Sequence, residues 1–115
     1  MKSNSILPHQ NYESILFIGG PFDTQYIQVA KDIDYYIHKN KEINGSGDYI
    51  YRKQTFPWKE DRIINLMVMD GVPESYMQYL TKSFEDGMEE NLPLPIVIMC
   101  LPSVEQFITV KEKED

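Results

Sequence analysis

The sequence predicts an α+β fold, a mostly antiparallel sheet of about five or six strands with one helix, at about residues 73–86, packed on one face. Three observations predict it. Strand-like runs follow one another through the first two thirds of the chain. One of them, with Ile63, Ile64, Leu66, Met67, Val68 and Met69, is apolar at almost every position and reads as a central strand buried on both faces. A single amphipathic stripe comes after it, Met77, Leu80 and Phe84, with Tyr76 at its edge.

The elements follow in order. Residues 1–13 are polar, carry Pro8 and read as a loose arm. Ser14–Ile18 and Gln25–Ala30 read as two strands of a hairpin, joined by Gly19-Gly20-Pro21-Phe22-Asp23. Pro21 presets φ for a turn, and the glycines reach positive φ at little cost. In the second strand Ile27 and Val29 share one face, Tyr26 and Gln28 the other. Asp34–His38 reads as a third strand, with a helical turn as the alternative. Residues 40–47 are polar, hold two glycines and read as a loop. Asp48–Phe56 is a strand whose two faces both mix ring or aliphatic bulk with polar ends. Pro57–Glu60 is a turn, and Arg62–Met69 is the central strand.

Pro73 suits a first helical position, and Glu74 sits where the helix dipole favours a carboxylate. Gly87 suits the position just past the helix. A helix of about 13 residues is too short to persist alone, so its stripe must pack on the sheet. Ile96–Leu101, fenced by prolines, reads as a short buried strand, and Phe107–Val110 as a last, edge strand. Residues 111–115 read as a solvated tail, and 1–115 as a single domain.

The chain has 115 residues, 42% hydrophobic and 25% charged, with eight tyrosines, five phenylalanines and Trp58, enough apolar anchors for a core without disulfides or a structural metal. Its formal charge is −7 and its cations are scattered, Lys39 with Lys41 forming the only short cluster. Duplex nucleic acid, which needs clustered Lys and Arg, is therefore not an expected partner. The acidity serves solubility or complements a basic partner. Cys100 is the one cysteine, so no internal disulfide forms, and its apolar neighbours predict a buried, inert thiol. The N-terminus has no apolar signal region and the longest apolar run is far short of a membrane span, so the expected location is the cytoplasm, with no membrane partner.

Candidate binding residues form two groups. The turn, through Gly20, Pro21 and Asp23, could present backbone N–H groups and a carboxylate to a ligand; the competing reading is a hairpin turn in which Asp23 bonds its own backbone. It is not a phosphate loop, because a strand follows rather than a helix N-terminus. The second group is Tyr49, Tyr51 and Arg52, with Tyr35 and Tyr36, an aromatic set with a cation that could bind a partner or stack a nucleotide ring; the competing reading is a half-buried sheet face. His9 and His38 read as surface residues without ligand-like partners, so no metal site is expected. Asp32/Asp34, Glu85/Asp86 and Glu89/Glu90 lie in polar stretches and read as surface charge. No residue is assigned a catalytic role and no cofactor is expected, so the chain leans away from an enzyme.

A strand running into Gly19-Gly20-Pro21-Phe22-Asp23, then an alternating strand, then the Tyr49-x-Tyr51-Arg52 strand, resembles small uncharacterised proteins of bacteriophages and prophages. Those often read Gly-Gly-Pro, a variable residue, Asp, Gly; this chain has Thr24 at the final position. The resemblance spans roughly residues 14–56 and implies a mobile-element origin and an accessory role in the infected cell, with no catalytic residues to carry over.

The expected function is that of a non-enzymatic accessory protein that binds a protein, either a host factor or a second copy of itself. The alternatives are a binder of a small nucleotide-like ligand and an acidic mimic of DNA.

Overall fold

The computed structural model describes residues 11–39 and 47–113. The chain is α+β, and the described residues form a five-stranded, mixed, curled sheet and three α-helices. The strands are β1 (Tyr12–Ile18), β2 (Tyr26–Ala30), β3 (Tyr35–His38), β4 (Tyr49–Pro57) and β5 (Ile63–Met69); the helices are α1 (Glu74–Glu89), α2 (Leu94–Met99) and α3 (Val104–Lys113). The sheet order is β2-β1-β5-β4-β3.

Two antiparallel units make this order. The hairpin expected around Gly19–Asp23 is present, with Ile15 opposite Ile27 and Leu16 opposite Tyr26. The second unit is the meander β3-β4-β5. The units join along β1 and β5, which run parallel, Leu16 beside Leu66 and Ile18 beside Val68. Three of the four pairings are antiparallel, as expected, and one is parallel, so the sheet is mixed rather than purely antiparallel. The physical reason is burial. β1 and β5 carry the most continuous apolar runs, and a strand buried on both faces must sit at the centre.

Three further expectations are corrected. Ile96–Leu101 is not a strand; most of it lies in α2, where Pro95 occupies the first turn and needs no hydrogen-bond partner. Phe107–Val110 is not an edge strand; it belongs to α3. That helix opens on a reciprocal cap in which Ser103 Oγ accepts the Gln106 N–H at 3.1 Å and Gln106 Oε1 accepts the Ser103 N–H at 3.0 Å. The helix α1 does not stop before Gly87. It runs on to Glu89 and ends on Asn91, whose φ of 59° places it in the left-handed region. The Leu92 N–H then donates to Gly87 O, and the Asn91 N–H to Met88 O. Gly87 lies inside the helix for a packing reason: a Cβ there would stand 2.6 Å from Val97 Cγ2. The bare backbone lets α2 approach.

The boundaries of the ends also move. Residues 12 and 13 belong to β1 rather than to an arm, and the backbone of 111–113 continues α3. The rest of the arm, with His9, lies outside the described residues, as do 40–46 and 114–115. Cys100, expected to be buried, is exposed at the end of α2, because the apolar run it closes is a helix with one buried position, Val97.

Both faces of the sheet bury apolar residues. On one, Leu16, Ile18, Phe56, Ile64, Leu66 and Val68 meet Tyr76, Leu80 and Phe84 of α1, with Trp58 and Val97 completing the cluster. The expected stripe of α1 is thus core. On the other face Ile15, Phe17, Val29, Tyr51 and Met67 form a second cluster. Among the described residues no α-helix packs on it. The sheet curls instead: the Phe17 ring on β1 meets the Tyr36 ring on β3 at 5.5 Å, although β5 and β4 lie between them in the sheet.

Candidate functional site

The Gly-Gly-Pro turn sits over the concave face. Gly19 and Gly20 take φ of 91° and 64°, and side chains there would collide as well: a Cβ on Gly20 would lie 2.5 Å from Met69 Sδ and 2.8 Å from the Tyr51 hydroxyl. Glycine is needed for the conformation and for the close approach. Thr24 also has positive φ, 67°.

Tyr51 and Asp23 tie this turn to the rest of the fold. Tyr51 is fully buried beneath it; its hydroxyl donates to Gly19 O at 2.7 Å and accepts the Phe22 N–H at 3.1 Å. Burial pushes the Tyr51 hydroxyl above its usual pKa. Asp23 accepts the Gly19 N–H on Oδ1 at 2.7 Å, the local turn bond expected from the sequence. Its Oδ2 accepts the Val104 N–H at 3.1 Å, at the first turn of α3, 81 residues along the chain. One carboxylate thus closes the turn and caps a distant helix, where the dipole favours negative charge. Tyr76, also buried, donates to Pro102 O at 2.7 Å just before that helix, and burial raises its pKa as well. Nothing in residues 19–24 foretells the partner at 104. The Ser103–Gln106 spacing does signal a helix start, and that start needs a nearby acceptor.

The aromatic set divides between the faces. Tyr49, Tyr51 and Tyr36 point to the concave side, where Phe22 and His38 join them: the Phe22 and His38 rings lie 4.5 Å apart, and His38 and Tyr49 stack at 5.9 Å. His38 is therefore half-buried among rings rather than a free surface residue. Arg52 and Tyr35 lie directly opposite each other on the other face, both exposed. The Arg52 Nε donates to both carboxylate oxygens of Asp70, at 3.0 and 3.2 Å. Tyr51 and Arg52 therefore do not form one surface. Of the residues singled out, Gly20, Pro21, Asp23 and Tyr51 meet at the turn, Tyr49 flanks them through His38 and Phe22, and Arg52 stands apart with Tyr35. Between the turn and α3 lies an open groove of about 810 Å³, lined by Gly20, Asp23, Thr24, Glu105, Gln106 and Thr109.

A third region did not stand out in the sequence. From Glu74 to Val110 the helical layer carries Glu74, Glu85, Asp86, Glu89, Glu90 and Glu105 against one cation, Lys82. Four of these carboxylates crowd the C-terminal end of α1, where the dipole is negative and the last turn holds no basic residue. Beside them a groove of about 200 Å³ between α1 and α2 is lined by Tyr79, Asp86, Glu90, Leu92, Val97 and Leu101. Tyr79 in its wall is 38% exposed; Ile96 and Met99 of α2 are also exposed, and Met99 lines a different groove with Thr24 and Tyr26. In sequence, Glu85/Asp86 and Glu89/Glu90 read as plain surface charge and Ile96–Leu101 as a buried strand. The region emerges only when α2 is known to be a helix.

Among the described residues no group of three or more His, Cys, Asp or Glu could hold a metal ion, and no helix is long and apolar enough to cross a membrane. No family model, curated protein or solved structure matches the chain.

Proposed function

We propose that this chain is a non-enzymatic protein-binding accessory factor whose helical layer receives a basic, amphipathic segment of its partner. The observation that carries the reading is the placement of the carboxylates Glu85, Asp86, Glu89 and Glu90 at the negative pole of α1, where Asp86 and Glu90 line a groove together with Tyr79, Leu92, Val97 and Leu101. Local stability disfavours carboxylates there. A partner bearing Lys or Arg reverses the sign of that interaction, and the apolar side chains supply what charge alone lacks, an area to bury. An amphipathic helix with a basic flank meets both needs. The phage or prophage origin rests on the likeness of the Gly19–Asp23 turn, and with it the suggestion that the partner belongs to the host.

The probe is a synthetic amphipathic helix with Lys on one flank and Leu along the other, titrated into isotopically labelled protein. Saturable shifts at Tyr79, Asp86, Glu90 and Leu92 that weaken with salt and vanish in Glu85→Lys/Glu89→Lys support the reading. Shifts elsewhere, or none, overturn it.

A second reading has its own observation, the polar groove between the turn and α3. It suits a small ligand with hydrogen-bonding groups. Asp23 and Glu105 oppose phosphate, so a nucleotide-like ligand would enter by its base or sugar. Thermal stabilisation by members of a nucleoside and nucleotide panel would favour this reading over the first.

A further inference from the structure

The outer edge of the meander carries an interaction surface of a different kind, and it goes beyond the reading above. The bond from the Lys53 N–H to Asp34 O fixes which groups of β3 are used. In an antiparallel ladder hydrogen-bonded positions alternate, so Asp34, Tyr36 and His38 turn their main-chain groups to β4. The N–H and C=O groups of Tyr35 and Ile37 turn outward, and among the described residues no strand pairs with them. The same two residues present exposed apolar side chains, Tyr35 at 55% and Ile37 at 44%. Nothing within Tyr35–His38 protects the edge: it has no proline, no lysine and no bulge.

We propose that two copies of the chain pair antiparallel through β3, about a two-fold axis at Tyr36, to form one continuous sheet. The strand is complementary to itself in this register. Tyr35 falls opposite Ile37 of the second copy, a hydrogen-bonded pair on both sides of the axis, for about four main-chain bonds in all. Their side chains form an apolar strip on the face that carries Ile50 and Arg52. On the other face Asp34 falls opposite His38 of the second copy, a carboxylate acceptor against a ring that carries an N–H donor. The opposite edge of the sheet is less suited. The Phe17 N–H bond to Gln25 O turns Tyr26, Gln28 and Ala30 outward on β2, and there polar Gln28 follows Tyr26 on the exposed row. A contact through one short strand is small, so the equilibrium depends on concentration.

Sedimentation equilibrium across a concentration series tests this. The wild type should show a monomer–dimer equilibrium. Ile37→Pro removes an outward N–H without touching the ladder to β4, and Ile37→Lys places a charge at the junction; both should sediment as monomers with the circular dichroism and melting temperature of the wild-type monomer. Gln28→Pro should still dimerise. A wild type that stays monomeric at its solubility limit overturns the proposal. So does a dimer that survives folded Ile37→Lys, or one that only Gln28→Pro dissolves. Charge reversal at Glu85 and Glu89 leaves this equilibrium unchanged, so failure of the helical-layer reading and failure of this one give different results.

Discussion

The face of the sheet toward α1 is filled by another element, whereas the opposite face is filled by the sheet's own curl. On the first, Leu80 and Phe84 enter from the helix and meet Leu16, Phe56, Leu66 and Val68. On the second, Phe17, Tyr36 and Tyr51 come from β1, β3 and β4, and Phe22 folds over them from the turn. Aliphatic packing against a helix imposes few polar obligations. Curling a sheet over aromatic rings brings backbone with it, and that backbone must find partners. This is why Tyr51 bonds both Gly19 and Phe22. It also explains why the two faces are not independent. Asp23 bonds the turn of the concave face and the first residue of α3, next to the carbonyl that Tyr76 holds on the helical face.

The largest effect belongs to the helical face. Leu80 is fully buried, and Leu80→Ala should cost about 2–5 kcal/mol in denaturant unfolding. A loss under about 1 kcal/mol would mean that the first face does not depend on α1, and the contrast between the faces would collapse. Asp23→Ala should cost about 2 kcal/mol, because a charged acceptor of two N–H groups disappears. Its signature is faster amide exchange at both Gly19 and Val104. Acceleration at Gly19 alone would sever the link between the faces and leave a purely local turn bond.

Alkaline pH probes both faces together. Tyr51 and Tyr76 have folded pKa values above the ordinary 10.0, chiefly because burial disfavours the phenolate. Their contribution is fully present below pH 10 and is lost as pH rises from there toward the folded values, since the unfolded chain releases these protons first. Stability against unfolding, measured from pH 9 upward, should fall with pH, and absorbance of tyrosinate should show these two groups ionising only as the chain unfolds. Tyr76→Phe should flatten the decline in part. Titration of all tyrosines without loss of structure would contradict the burial of the two rings. The smallest effect is at Thr24. A β-branched residue at φ 67° is strained, and glycine relieves the strain while adding freedom to the unfolded chain, so Thr24→Gly should stabilise by less than about 1 kcal/mol.

The first half of the molecule was legible because its signals are local. Gly19-Gly20-Pro21 marks a turn, the alternation around Ile27 and Val29 marks a strand, and Tyr49–Phe56 and Ile63–Met69 are long enough to declare themselves. Residues 94–110 were not legible from apolarity alone. Ile96-Val97-Ile98 is β-branched and suits a strand, yet prolines at its start fit a helix first turn equally well, and a short apolar run has no period that separates the two. The Ser103–Gln106 cap was the overlooked sign for α3. At the candidate site the sequence located the turn and its local Asp23 bond, and it grouped Tyr51 with Arg52. Adjacent residues in a strand point to opposite faces, so that grouping could not survive folding.

By itself, then, the sequence determined the α+β class, the turn, the strands up to Met69 and the apolar stripe of α1, all consequences of periodicity and backbone preference within a few residues. Only the tertiary structure decided that β1 lies beside β5, that the far face closes by curling, that Asp23 reaches Val104, and that the carboxylates at the end of α1 border a groove against α2. Each of these joins residues distant in the chain, where burial and hydrogen-bond satisfaction act across space and leave no local pattern to read.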